Sequence, residues 1–194
     1  MLIAYENYLS FLDSRLEKFF KSQEPYIFCK KGCTKCCRHA QFPYSLLEMQ
    51  YVLAGLHNLD KKTLNKIEQN LANILTRKQK FKGKKFLYDC PFLINDECAV
   101  YKYRGVICRT FGLITQYENG TIKSPFCAHK GLNYSNVLNL RQKTISIRKF
   151  KKLNVKEEPL GFNISYEFLT GPAFEAQFNL KFGQMKPLIE WFEA

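Results

Sequence analysis

Apolar positions in the first twenty residues fall at helical steps. Tyr5, Leu9, Leu12, Leu16 and Phe19 alternate four- and three-residue intervals, so a helix over Tyr5 to Phe20 carries a continuous apolar stripe that packs on a core. A second helix opens at Ser45-Leu-Leu-Glu48, which has the spacing of a capping box, and carries Met49, Leu53 and Leu56 on one face. Leu64, Ile67, Leu71 and Ile74 mark a third. It runs out in the basic segment RKQKFKGKK, whose Gly83 and lysines predict a helix terminus and an exposed connection.

From Cys90 to Cys108 no period is sustained, as expected where ligand positions dictate the path of the chain. GLITQYENGTIK then places β-prone residues on either side of Asn119-Gly120, predicting a short hairpin over Phe111 to Lys123. Beyond it, Ser135 can cap a helix starting NVLNL, while TISIRKF alternates like a strand, so that segment admits both forms. Pro187 is placed to begin a final short helix with Trp191 and Phe192, for core packing or a partner surface. The pattern predicts a mainly α fold with short irregular β elements, a cysteine-rich, metal-centred single domain over residues 1–194. Within it lie a helical N-terminal segment (1–25), a cysteine-cluster core (about 29–127) and an aromatic C-terminal extension (135–194).

The cysteines change the picture most. Cys29, Cys33, Cys36 and Cys37 fall within nine residues, CKKGCTKCC, and Cys90, Cys98, Cys108 and Cys127 follow after a gap of 52 residues. A thiolate metal site needs soft sulfur donors converging at about 2.3 Å for zinc, and close spacing lets one turn supply two of them. In helical geometry Cys36 and Cys37 diverge by about 100°, so one ion does not easily take all four of the first block. Gly32 relaxes the backbone before Cys33. Closing the gap costs entropy that grows only logarithmically with length, against on the order of 10 kcal/mol or more from structural zinc binding.

Eight cysteines also allow four disulfides, and an unliganded buried thiol suits one of Cys36 or Cys37. A chain of 194 residues does not need the staples of a small secreted domain. Its first twenty residues, interrupted by Glu6 and Asp13, are not a signal peptide, so a reducing cytoplasm is the expected location. No stretch of about 20 apolar residues is present to span a membrane.

Net charge is +13. One basic run comprises Arg77, Lys78, Lys80, Lys82, Lys84 and Lys85, and another Arg141, Lys143, Arg148, Lys149, Lys151 and Lys152. Such runs can meet phosphate backbones, although a solvated face is their commoner meaning. Lys30, Lys31, Lys35 and Arg38 interleave the first cysteines, and Arg104 and Arg109 bracket Cys108. Cations there lower thiol pKa and offset a multi-thiolate centre, and a guanidinium can also pin several carbonyls. His129 and His39 each lie two residues beyond a cysteine and are candidate replacement ligands.

The block CKKGCTKCC, followed by CPFLINDECAVYKYRGVICRTFG and a late cysteine, resembles the cysteine-cluster family named for its CxxCxxCC motif, also called the YkgJ family, a zinc- or iron-chelating domain. The resemblance spans Cys29 to Cys127 and includes Tyr101, Arg104 and the Cys108-Arg109 pair. Here three residues separate the first two cysteines where the family often has two, and Arg104-Gly105 stands where it has Arg-Pro, a loss expected to loosen the approach to Cys108. The resemblance implies a metal or iron-sulfur centre and no agreed reaction.

The first functional expectation is therefore a metalloprotein holding zinc or iron, including a [4Fe-4S] cluster, through Cys29, Cys33, Cys36, Cys37, Cys90, Cys98, Cys108 and Cys127, with the crowded set leaning towards iron. The second is an enzyme. Cys29-x3-Cys33-x2-Cys36 resembles the radical S-adenosylmethionine motif, and flagellin lysine N-methylases carry a related cysteine module; either likeness implies S-adenosylmethionine. Lys35 stands where the radical superfamily usually has an aromatic, and the methylases are longer chains. The third is a metal-stabilised nucleic-acid-binding module that uses the basic runs. No phosphate-cradling glycine loop, HExxH helix or Ser-His-Asp order supports hydrolase or nucleotide-binding chemistry.

Overall fold

Helix α1 (Leu2–Ser22) buries Tyr5, Tyr8, Leu9, Leu12 and Leu16 along one side, each leucine contributing about 1.5–3 kcal/mol on leaving water. The computed structural model describes residues 1–30, 32–38 and 41–193. Strand β1 (Pro43–Ser45) leads into α2 (Leu46–Leu56), and α3 (Lys61–Lys80) follows. Next come the hairpin β2 (Leu93–Ile94) and β3 (Glu97–Cys98), the short α4 (Val106–Thr110), then β4 (Ile114–Gln116) and β5 (Ile122–Lys123). A second small hairpin, β6 (Leu138–Asn139) and β7 (Thr144–Ile145), precedes α5 (Ile147–Leu153). The chain finishes with β8 (Gly161–Phe162), α6 (Tyr166–Leu169), α7 (Pro172–Phe178) and β9 (Met185–Pro187). Helix outweighs strand, as the apolar periods predict.

Two pairings join distant parts of the chain. β9 runs antiparallel to β1, with Ser45 opposite Met185, and so clips the C-terminal segment to the start of α2. β4 lies between β5, antiparallel, and β8, parallel. Gly161 is required in β8 because a Cβ there would stand 2.9 Å from the Gln116 side chain.

Side chains fill three clusters. The first packs α1 against α2, α6 and α7, with the Tyr8 ring edge-on to Phe174, Phe178 and Phe182. The second sets Ile67 and Ile74 of α3 against Phe42, Val52, Phe92 and Leu188. The third gathers Tyr26, Ile114, Tyr134, Val137 and Leu138 under the β6–β7 hairpin and α5. Cys90, Cys98 and Cys108 pack against the second.

Several expectations are met and three change. The Ser45–Glu48 capping box is formed on both sides, α3 carries Ile67 and Ile74 inward, and Asn119-Gly120 turns the β4–β5 hairpin with Gly120 at φ +79. A 3₁₀ turn over Leu188–Phe192 holds Trp191, whose Nε1 donates to the Tyr44 carbonyl at 3.1 Å. Leu53, however, is 45% exposed, because α2 turns Glu48, Met49, Val52 and Gly55 inward instead. Ser135 opens no helix. Leu138 pairs with Ile145 in a hairpin, and the IRKF of TISIRKF is helical, capped by the Ser146 hydroxyl accepting from the Lys149 amide. Among the described residues no helix is long and apolar enough to cross a membrane.

Candidate metal centre

The first cysteine block is anchored by a residue far along the chain. Asn133, wholly buried, accepts from the amides of Phe28 and Cys29 through Oδ1, at 2.8 and 2.9 Å, and donates from Nδ2 to the Gly112 carbonyl at 3.0 Å. The amide of its neighbour Leu132 donates to the Cys127 carbonyl at 3.0 Å. One short segment therefore fixes Cys29 beside Cys127. The next turn is closed by the Cys33 amide donating to the Lys30 carbonyl, with Gly32 at φ +85.

Lys35–Cys37 forms a 3₁₀ turn, and this changes the geometry expected of an α-helix. The Sγ atoms of Cys36 and Cys37 stand 3.9 Å apart. Two sulfurs bound tetrahedrally at about 2.3 Å are roughly 3.8 Å apart, so the neighbouring thiols already have the separation of metal ligands. Cys37 also joins the two blocks, its carbonyl accepting from the Cys90 amide at 2.8 Å. Arg38 reinforces that junction by pairing with Asp89 at 2.9 Å and Asp96 at 2.6 Å. All three side chains are at least two-fifths exposed, so water screens both pairs; they fix register more than they stabilise.

In the second block, Cys90 precedes a turn closed by the Leu93 amide, and Cys98 lies opposite Leu93 in the β2–β3 hairpin. Asn95 and Asp96, both at positive φ, make its turn. Cys108 sits in α4, whose entry is tightly held. The buried Glu48 accepts from the Val106 amide at 2.8 Å, from the Ser45 amide and hydroxyl, and from the Tyr166 hydroxyl. Gly105 has φ −67, the angle a proline would fix, and donates its N–H to the Tyr44 hydroxyl at 3.1 Å. A Cβ there would lie 2.8 Å from the Tyr44 ring and 2.9 Å from Glu48 Oε1. The approach to Cys108 is thus held rather than loosened by the glycine. Arg109, almost fully buried, pins the carbonyls of Arg104 and Lys102 and pairs with Asp13 of α1. Arg104 stacks over the Tyr101 ring at 3.9 Å.

Electrostatics follow burial and sulfur neighbours. Burial pushes the Cys108 thiol up to about 12, opposed by the Tyr44 hydroxyl 3.4 Å from its Sγ. Cys90 is raised well above the ordinary thiol value by burial and then by the nearby Cys108. Cys98 is also raised by burial, with the Arg104 charge acting in the opposite sense. Within the vicinal pair, the hydrogen bond from Cys37 lowers Cys36 to about 7, while Cys37 rises. In the same way Cys29 rises against Cys127 and Cys127 falls. Burial pushes the Glu48 carboxyl up, against the bonds it accepts.

All eight cysteines are free thiols, from the exposed Cys29 to the buried Cys127. They form one connected set of neighbours, in which Cys36 is the electrostatic neighbour of Cys29, Cys90, Cys98, Cys108 and Cys127. Among the described residues, no three Cys, His, Asp or Glu side chains stand closed around a point in a metal-holding arrangement. In type the donors nevertheless suit zinc and iron: soft, unoxidised sulfurs from three segments of the chain. His129 is exposed on the 3₁₀ turn after Cys127, and His39 and Lys31 lie outside the described residues.

The CxxCxxCC family model, described as "putative zinc- or iron-chelating domain", matches residues 28–128. That span begins one residue before Cys29, ends one after Cys127 and covers just over half the chain. The protein belongs to this family of zinc- or iron-chelating domains. Neither the curated proteins nor the solved structures searched return a match.

Three residues important to the geometry carried no sequence signal of that role. Tyr44 precedes the capping box as an ordinary core aromatic, Asn133 follows a glycine turn, and Glu48 reads as a helix cap alone. Their partners lie across the fold, at Cys108, Cys29 and Val106.

Proposed function

We propose that the protein binds zinc or iron through its own sulfurs, with Cys29, Cys33, Cys36, Cys37, Cys90, Cys98, Cys108 and Cys127 as the donor set. The observation that carries this reading is the backbone bond from the Cys90 amide to the Cys37 carbonyl, which closes the 52-residue gap and sets the two blocks side by side. Bound metal supplies the positive charge that lets thiols which burial otherwise keeps protonated ionise as ligands. An iron-sulfur cluster is the form favoured by the crowding of the sulfurs. Replacing Cys33 or Cys108 with Ser is expected to lower metal content and stability; a variant that keeps full metal content removes that residue from the set.

A second reading, of a nucleic-acid surface, rests on charge placement. Between Glu118 and Glu157 the chain has no acidic residue and nine Lys and Arg, and this stretch includes the β6–β7 hairpin and α5 on the third cluster. Arg148, Lys151 and Lys152 are exposed on α5. In the first basic run, by contrast, Lys78 is paired with Glu190 and Glu193. Binding of a single- or double-stranded oligonucleotide that weakens steeply with salt is the expected result, and no binding at low salt removes the reading.

A further inference from the structure

We infer that the cleft between α1 and the turn ahead of α4 binds an α-amino acid with an apolar side chain, holding its carboxylate on Arg104 and its ammonium on Glu17. None of the eight sulfurs takes part, so the site stands whether or not they hold metal.

The cleft has a volume of about 480 Å³, within the range of small-molecule sites. Asp13, Glu17 and Phe20, at steps of four and three, line it from α1 together with Leu16. Arg104 lines it from the turn ahead of α4 and Arg109 from α4 itself. The two segments are tied by the ion pair of Arg109 with Asp13. Arg109 is almost fully buried and donates to the Arg104 carbonyl at 3.2 Å and to the Lys102 carbonyl at 2.9 Å. The backbone that carries Arg104 is therefore fixed beside that pair.

Charge in the cleft is balanced, but only half of it is paired. Asp13 and Arg109 neutralise each other, whereas Glu17 and Arg104 have no ion-pair partner among the described residues. Arg104 is already positioned: its guanidinium stacks over the Tyr101 ring at 3.9 Å and spends one donor on the Tyr101 carbonyl at 3.0 Å. A guanidinium presents several N–H donors in a rigid fork that matches a carboxylate, and the rest have no partner among the described residues. Holding the side chain in place beforehand lowers the ordering cost of binding.

These two unpaired charges select the ligand. An anion alone would meet Glu17 with like charge, and a cation alone would meet Arg104 in the same way. A molecule that carries both charges satisfies both groups. Leu16 and Phe20 form the apolar part of the lining, which suits an aliphatic or aromatic side chain.

Titration of the isotope-labelled full chain with L-leucine, L-methionine and L-phenylalanine, followed by amide chemical shifts, tests the site. Saturable shifts are expected with at least one of the three at Asp13, Glu17, Arg104 and Arg109, with α3 unmoved. N-acetylation and C-terminal amidation of that amino acid each remove one charge, and each is expected to weaken binding at least about tenfold, the scale of a charged hydrogen bond. Glu17→Gln, at an exposed position, is expected to keep the fold by circular dichroism, to weaken the free amino acid by the same factor and to leave the N-acetyl form unchanged. Arg104→Gln is expected to do the converse, leaving the amide form unchanged. Absence of saturable shifts with all three amino acids overturns the assignment, as do shifts centred elsewhere or an N-acetyl form that binds as well as the free amino acid. Metal content enters none of these readouts, so failure here is distinct from failure of chelation.

Discussion

The Tyr44 hydroxyl lies 3.4 Å from Cys108 Sγ while accepting a hydrogen bond from the Gly105 amide at 3.1 Å. With that amide in one lone pair, the phenolic proton is free to point at the sulfur. Tyr44 is buried and its own ionisation is pushed well up, chiefly by burial, so it would be a neutral donor to Cys108 once that sulfur is a metal-bound thiolate, as proposed. Hydrogen bonds to ligand atoms are worth about 10–100-fold in metal affinity. Tyr44→Phe keeps the ring and removes the proton; we predict weaker zinc retention of that order in competition with a chromogenic chelator. Unchanged retention would show that the hydroxyl only packs.

Gly105 tests the same corner sterically. Gly105→Ala drives a Cβ to within 2.8 Å of the Tyr44 ring and 2.9 Å of Glu48 Oε1, and overpacking of this kind costs about 1–3 kcal/mol. The expected result is a lower denaturant midpoint of the metal-free protein. A midpoint equal to that of the parent would mean that the corner relaxes freely.

Asn133→Ala strips the partners from two amides, those of Phe28 and Cys29, and from the Gly112 carbonyl. The bond to the Gly112 carbonyl is buried and those from Phe28 and Cys29 are partly so, and each bond lost costs about 0.5–1.5 kcal/mol. Amide exchange at Cys29 should accelerate more than exchange in α3, because the damage is local to Cys29 and the neighbouring Cys127. Uniform acceleration would contradict that placement.

Metal uptake should release protons. Cys90 and Cys108 are raised by burial, Cys108 to about 12, so both are protonated at neutral pH and must lose their protons to become ligands. Apparent affinity accordingly rises with pH towards the raised thiol values and falls on acidification. Calorimetric titration with zinc in two buffers of different ionisation enthalpy should give different apparent heats; identical heats would contradict the direction of these shifts.

Much of the helical framework was legible because its signals are local. The apolar stripe of α1, the Ser45–Glu48 box and the Asn119-Gly120 turn each depend on residues within a few positions of one another. The failures have a common cause. Leu53 faces out because Glu48, a polar residue, is drawn inward by the Ser45 amide and hydroxyl, the Val106 amide and the Tyr166 hydroxyl. Ser146 rather than Ser135 caps a helix because Leu138 pairs with Ile145. At the candidate centre, the cysteine types and spacing pointed to the chemistry, but helical geometry misjudged Cys36 and Cys37, which a 3₁₀ turn brings together. Tyr44 and Asn133 were illegible because they reach Cys108 across 64 positions and Cys29 across 104.

The central claim is that these cysteines hold metal. Elemental analysis of anaerobically purified protein, with acid-labile sulfide and a visible spectrum from the same sample, tests it most directly. The account predicts stoichiometric zinc or iron, with sulfide and a broad visible absorption if the iron is in a cluster. Protein that is folded, fully reduced in its thiols and free of both metals, and that takes up neither on anaerobic reconstitution, would contradict it.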